Sequence, residues 1–173
     1  MSFFARLKNR LIAKLITRFP ALSRRFTAAY APQESQAETP WTPFTKPLLQ
    51  CTVAVVTTAG IHHRSQSPFD MQDSNGDPSW RELDGASLFD DFLITHDYYD
   101  HKDAEQDPNI VLPLDRLKEF ADEGRIGSLA KTHYAFMGHI DGPHIATLVN
   151  KTAPEIAQRL KQDQVDLVLL TPA

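Results

Sequence analysis

The run CTVAVVT, Cys51 to Thr57, decides the fold class. It is apolar and β-branched with almost no polar alternation, the pattern of a strand buried on both faces, as in a parallel sheet covered by helices. Thr58, Ala59, Gly60 and His62 follow at once. Small residues and a glycine directly after such a strand predict a loop at its carboxyl end, where open α/β sheets place their ligands.

Downstream, His63 to Gly85 is polar, carries the turn-forming SNGDP at Ser74 to Pro78, and has no clear periodicity. It reads as a long loop, folded back onto the body by Phe69, Trp80 and Leu83. Phe89 to Thr95 is a second apolar run of strand type and ends in HDYYDH, His96 to His101. Leu114, Leu117, Phe120 and Ala121 fall at helical spacing up to Gly124. Thr152 with Glu155 is a capping-box pattern, and Pro154 sits in the first turn of a helix running to about Gln162. Val165 to Leu170 is then another strand of the buried kind. This order predicts an α/β domain of three layers with a mostly parallel sheet. The last apolar run is followed only by Thr171, Pro172 and Ala173, so the expected sheet is incomplete at the C-terminus.

Upstream, residues 31–47 carry Pro32, Pro40, Pro43 and Pro47 among polar residues and read as a linker, which puts the α/β domain at 48–173. Residues 1–30 form a basic extension: seven Lys and Arg precede the first acid, Glu34, leaving 11 bases against 22 acids in the rest, a net −11. Phe4, Leu7, Leu11, Leu15 and Phe19 recur at three- and four-residue steps and predict an amphipathic helix. Its apolar stripe is expected to pack on the body or on a neighbouring subunit; an anionic membrane surface is the other reading. No aromatic-interleaved basic patch follows, so no nucleic-acid partner is expected. No apolar run reaches the length of a transmembrane span or a secretory signal, and Cys51 is the single cysteine. A cytoplasmic protein without disulfides is expected.

For chemistry, HDYYDH is the densest cluster, with His96, Asp97, Tyr99 and His101 as candidate catalytic groups. Histidine and carboxylate ligands of this kind also suit zinc, manganese or iron, so a metal-dependent hydrolase is a rival reading, although the spacing matches no established metal motif and no metal is assigned. His62 and His96 both follow predicted strands and are expected to face one cleft as acid and base. Arg64, Asp115 and Arg116 are candidates for substrate binding, an arginine suiting a carboxylate. Neither a Gly-rich phosphate loop nor a nucleophile elbow occurs.

Six segments carry a resemblance in order: VTTAGIHH (Val56–His63), SPFD (Ser67–Asp70), GDPSWREL (Gly76–Leu83), THDYYDH (Thr95–His101), PNIVLPLDRLKEFADEGRIG (Pro108–Gly127) and FMGHIDG (Phe136–Gly142). Together with VDLVLLTPA (Val165–Ala173) they resemble the selenoprotein B subunits of the glycine, betaine, sarcosine and D-proline reductases over about residues 44–173. The resemblance implies an oxidoreductase subunit that cleaves a C–N bond of a small amine or amino acid with electrons from a dithiol donor. It also implies, as partners, other subunits of a reductase complex or a thiol-bearing donor protein. The family's redox residue, a selenocysteine or cysteine, lies just beyond the strand that VDLVLLTPA resembles. The sequence therefore predicts a UGA codon read as selenocysteine after Ala173 in a full-length form, no cofactor in the chain as given, and no activity for these 173 residues alone. A non-catalytic binding or scaffolding subunit is the alternative.

Overall fold

A computed structural model describes residues 3–19, 21, 24 and 42–173. The linker expected at 31–47 therefore falls partly outside the described residues. At the N-terminus lies α1 (Phe3–Arg18). The body contains strands β1 (Thr52–Thr57), β2 (Ile61–His63), β3 (Trp80–Asp84), β4 (Phe92–Ile94), β5 (Ser128–Leu129), β6 (Thr132–Phe136) and β7 (Leu167–Thr171). Its helices are α2 (Lys102–Gln106), α3 (Leu114–Asp122), α4 (His144–Thr147) and α5 (Ala153–Gln162), the last two joined through a π-helical turn, Leu148–Thr152.

β1 is the centre of the main sheet. β7 runs parallel to it along one edge, from Val53 opposite Leu167 to Thr57 opposite Thr171. On the other edge β5 pairs with the start of β1 and β6 with its end, both parallel. β3 extends the sheet antiparallel to β6. The mostly parallel α/β sheet expected from Cys51–Thr57 is what the chain forms. Along β1, Val53 and Val55 enter a cluster with Leu114 and Leu117 of α3 and Ala104 of α2, while Ala54 enters a second cluster with Ile156 and Leu160 of α5. Both faces of β1 are thus buried, which explains its lack of alternation.

Between β5 and β6 the ladder to β1 is interrupted. The backbone N–H of Val55 donates instead to Nδ1 of the fully buried His133, at 3.0 Å. That bond fixes the imidazole as neutral, with its proton on Nε2, and burial pushes its pKa down to about 4. Nε2 has no hydrogen-bond partner among the described residues.

Several expectations need correction. The segment read as one long loop, His63 to Gly85, holds the strand β3 and begins on the last residue of β2. β2 pairs antiparallel with β4 in a separate two-stranded sheet, and β3 joins the main sheet. Phe69 and Leu83 are buried, so the remainder does fold back. Asp77 organises it, accepting the backbone N–H groups of Asp70 and Ser79 at 2.8 Å each. The Thr152 capping box does not form, because the helix already begins at His144 and Thr152 Oγ1 lies buried without a partner. β7 was expected to be buried on both faces, yet Val168, Leu169 and Leu170 are exposed, since among the described residues only β1 pairs with it.

The largest correction concerns α1. Its Leu7, Leu11, Leu15 and Phe19 are exposed, and it docks through the opposite face, where Ala13 is buried. Arg6 Nε and Arg10 Nε reach the two carboxylate oxygens of Asp97 at 2.6 and 2.7 Å. A buried carboxylate is costly unless its lone pairs are satisfied by charged donors, and here both oxygens are.

Candidate functional site

Parallel strands β1, β6 and β7 end at one edge of the sheet, and the loops that leave them are tied together. The N–H of Gly60 donates to Phe136 O at 2.9 Å, and the N–H of Thr95 donates to Gly60 O at 2.9 Å. The N–H of Thr58 donates to Thr171 O at 3.0 Å, and Thr58 Oγ1 accepts from the N–H of Ala173 at 3.1 Å. Two glycines permit this crowding. Gly60 has φ +70° and Gly138 has φ +89°; a Cβ would lie 2.5 Å from Thr95 O at the first and 2.4 Å from Thr58 O at the second.

His96 stands in this corner, 4% exposed. Its Nδ1 accepts the N–H of Tyr98 at 3.0 Å, so a neutral ring carries its proton on Nε2. Nε2 lies 3.2 Å from the position a Cβ would take on Gly138. Burial, chiefly, and then the nearby His101 and His139 push the His96 pKa down to about 4, with Asp97 opposing. Aromatic rings enclose it: Tyr99 at 4.7 Å and Tyr98 at 5.9 Å, both edge-on. Tyr98 stacks on His139 at 4.0 Å. The Tyr99 hydroxyl donates to Ala59 O at 3.0 Å, and burial raises its pKa well above the usual phenol value. On the far side of Tyr99 a cavity of about 210 Å³ is lined by Arg10, Lys14, Tyr99, Asp100, His101, Lys102 and Glu105. Cations and carboxylates share its wall, as the binding of a zwitterion requires.

The structure gathers some of the residues proposed from sequence and separates others. His96, Tyr99 and His101 belong to the cluster, with His101 Nδ1 only 2.8 Å from Glu105 Oε1. Asp97 turns away to the two arginines of α1, which hold its pKa low against the cost of burial. His62 does not share the cleft as acid or base: its Nε2 contacts Thr95 Oγ1 at 2.8 Å and its Nδ1 contacts His63 O at 3.0 Å, so both nitrogens are spent. Burial also lowers its pKa. Arg64 donates to Asp90 O and lines a different cavity, of about 290 Å³, with Ile61, Phe92 and Ile94. Asp115 contacts Asn109 and Lys118, and Arg116 pairs with Glu119 on the surface of α3. Among the described residues no three His, Cys, Asp or Glu side chains group to hold a metal. From sequence, Thr58 was read only as part of the loop after β1, and Tyr98 and His139 were not among the candidate catalytic or binding residues. Their signals lay in VTTAGIHH for Thr58, THDYYDH for Tyr98 and FMGHIDG for His139.

The fold is an α/β domain with a mostly parallel sheet and an aromatic-lined histidine at its carboxyl edge. The chain belongs to the glycine/sarcosine/betaine reductase selenoprotein B family, whose model matches residues 5–173. It is 40% identical over 131 residues to the D-proline reductase subunit gamma of Acetoanaerobium sticklandii, covering 76% of this chain and 52% of that one. It is 34% identical over 145 residues to the glycine reductase complex component B subunit gamma of Carboxydothermus hydrogenoformans, covering 76% of this chain and 30% of the relative. With the betaine reductase complex component B subunit beta of Peptoclostridium acidaminophilum it shares 32% identity over 135 residues, covering 73% and 29%. The chain thus spans about half the length of the first of these relatives and under a third of the other two. No solved structure matches it. Among the described residues no helix is long and apolar enough to cross a membrane.

Proposed function

We propose that this chain forms the substrate side of an amino-acid reductase site, with His96 and His139 facing the bound amine and Tyr98 and Tyr99 as walls. The reaction in this reading is reductive cleavage of a C–N bond in glycine, sarcosine, betaine, D-proline or a related amine. A dithiol gives up two electrons and becomes a disulfide, carbon gains hydrogen, and the nitrogen leaves as an amine. The observation that carries it is the position of His96: a neutral imidazole with Nε2–H at the joint where β1, β6 and β7 end. A buried neutral N–H donates a hydrogen bond to a carboxylate without charge of its own, and such a bond is strong where water is excluded. The cavity beyond Tyr99 offers Lys14 and Lys102 to a carboxylate and Asp100 or Glu105 to an ammonium.

Cys51 is not the redox residue of this reading. It is 1% exposed, its thiol donates to Pro47 O at 3.2 Å, and it precedes β1, at the opposite end of the strand from His96. A selenolate or low-pKa thiolate entering beside the end of β7, from the same polypeptide or from a partner subunit, meets Thr58, Gly138 and His96. Selenocysteine fits that role because a selenol ionises more readily than a thiol.

Equilibrium dialysis of the chain with glycine, sarcosine, betaine and D-proline tests the binding half of the proposal. Saturable binding of at least one, weakened about tenfold or more in His96→Ala and His139→Ala, is expected; binding untouched by both substitutions contradicts it. The chain alone is expected to give no dithiol-dependent turnover, and turnover that survives Cys51→Ser overturns the need for an added redox residue. The scaffolding alternative is favoured by the inert setting of Cys51 and predicts a stable partner with no amine binding at all.

A further inference from the structure

We infer that the outward face of α1 is a docking surface for an anionic lipid bilayer, on which the helix lies flat while the body faces water. The inner face is fixed by Arg6 and Arg10 on Asp97 and by buried Ala13, so the helix cannot turn its apolar stripe inward without giving up both ion pairs. Leu7, Leu11 and Leu15, spaced four residues apart, form the outward ridge; Leu11 is 60% exposed, and Phe19 continues the line. Lys8 and Arg18 lie beside this ridge, both exposed, and neither has an ion-pair partner among the described residues. α1 contains no acidic residue.

An apolar ridge flanked by cations is the make-up of a helix that sinks to its equator in the headgroup region. The occupant follows from charge and shape. A second copy would set one cationic ridge against another. The acidic remainder of the chain, at net −11, orients away from an anionic surface while α1 is drawn toward it. At 16 residues the helix is about 24 Å long, too short and too charged to cross a bilayer.

Sedimentation of the 173-residue protein with sucrose-loaded vesicles tests this. Vesicles of mixed phosphatidylglycerol and phosphatidylcholine are expected to carry it down, and phosphatidylcholine alone is not. Lys8→Gln and Arg18→Gln should each lower partitioning about fivefold at low salt, and Leu11→Glu with Leu15→Glu should abolish it. Failure to pellet with the anionic vesicles overturns the inference, as does wild-type pelleting by the double glutamate variant. Burial of the ridge in a stable dimer or in a protein groove, with no vesicle binding, overturns it in favour of a protein partner. The two cation variants lie on the exposed face, so they remain informative if the glutamates disturb the helix.

Discussion

His96 and His133 are buried neutral imidazoles with different duties: one faces the carboxyl edge of the sheet, the other fills a missing rung beside β1. Both have folded pKa values near 4 against an ordinary 6.5. Between those values the unfolded chain binds protons that the folded chain refuses. Their contribution to stability is therefore complete above pH 6.5 and is lost as pH falls toward 4, by roughly 3 kcal/mol for each ring. Urea midpoints measured from pH 7.5 to 4.5 should fall steeply across this window, and His133→Asn, which leaves an acceptor near Val55, should flatten the slope by about half. A midpoint that does not change with pH would contradict the buried neutral assignment. At the same scale, Gly138→Ala places a methyl against Thr58 O at a backbone angle that favours glycine. It should cost about 1–3 kcal/mol and weaken amine binding together with stability, read by thermal unfolding and dialysis.

Asp97 ties α1 to the body through Arg6 and Arg10, and Asn9 adds a side-chain hydrogen bond to Tyr98. Asp97→Asn removes the charge that both arginines seek, so trypsin is expected to cleave at Arg6, Lys8 and Arg10 faster than in the wild type while residues 48–173 stay resistant. Equal cleavage rates would show that the ion pairs do not hold the helix. The element also marks what was legible in sequence. Residue spacing predicted a helix over Phe3 to Phe19 and its two faces, because periodicity is local. Which face docks was not legible, since Asp97 lies 87 positions from Arg10 along the chain. β1 was readable for the opposite reason: burial on both faces leaves its signature within one short run. β6 was missed because Thr132–Phe136 includes a histidine whose place in the sheet is justified only by Val55 across the ladder. His96 could be singled out from its dense motif. Its partners Thr58 and Gly138 emerged only once three strand ends were brought together.

At the scale of the whole molecule, the far edge of β7 has no strand partner among the described residues, and Leu170 there is 69% exposed. An exposed apolar edge strand is a template for pairing with another chain. The purified protein should therefore self-associate as its concentration rises, and Leu170→Lys should shift its sedimentation coefficient toward the monomer. A wild type that stays monomeric at high concentration would contradict this. Such pairing lies beside the carboxyl edge, where Thr171 O accepts the N–H of Thr58. The account stands or falls on whether the His96 corner binds an amine. The most direct measurement is NMR of the histidine imidazoles during titration with glycine, sarcosine, betaine and D-proline. The account predicts that at least one ligand shifts His96 and His139 saturably while His133, sealed beneath the sheet, stays still. Shifts confined to surface histidines, or none with any of the four, would contradict it.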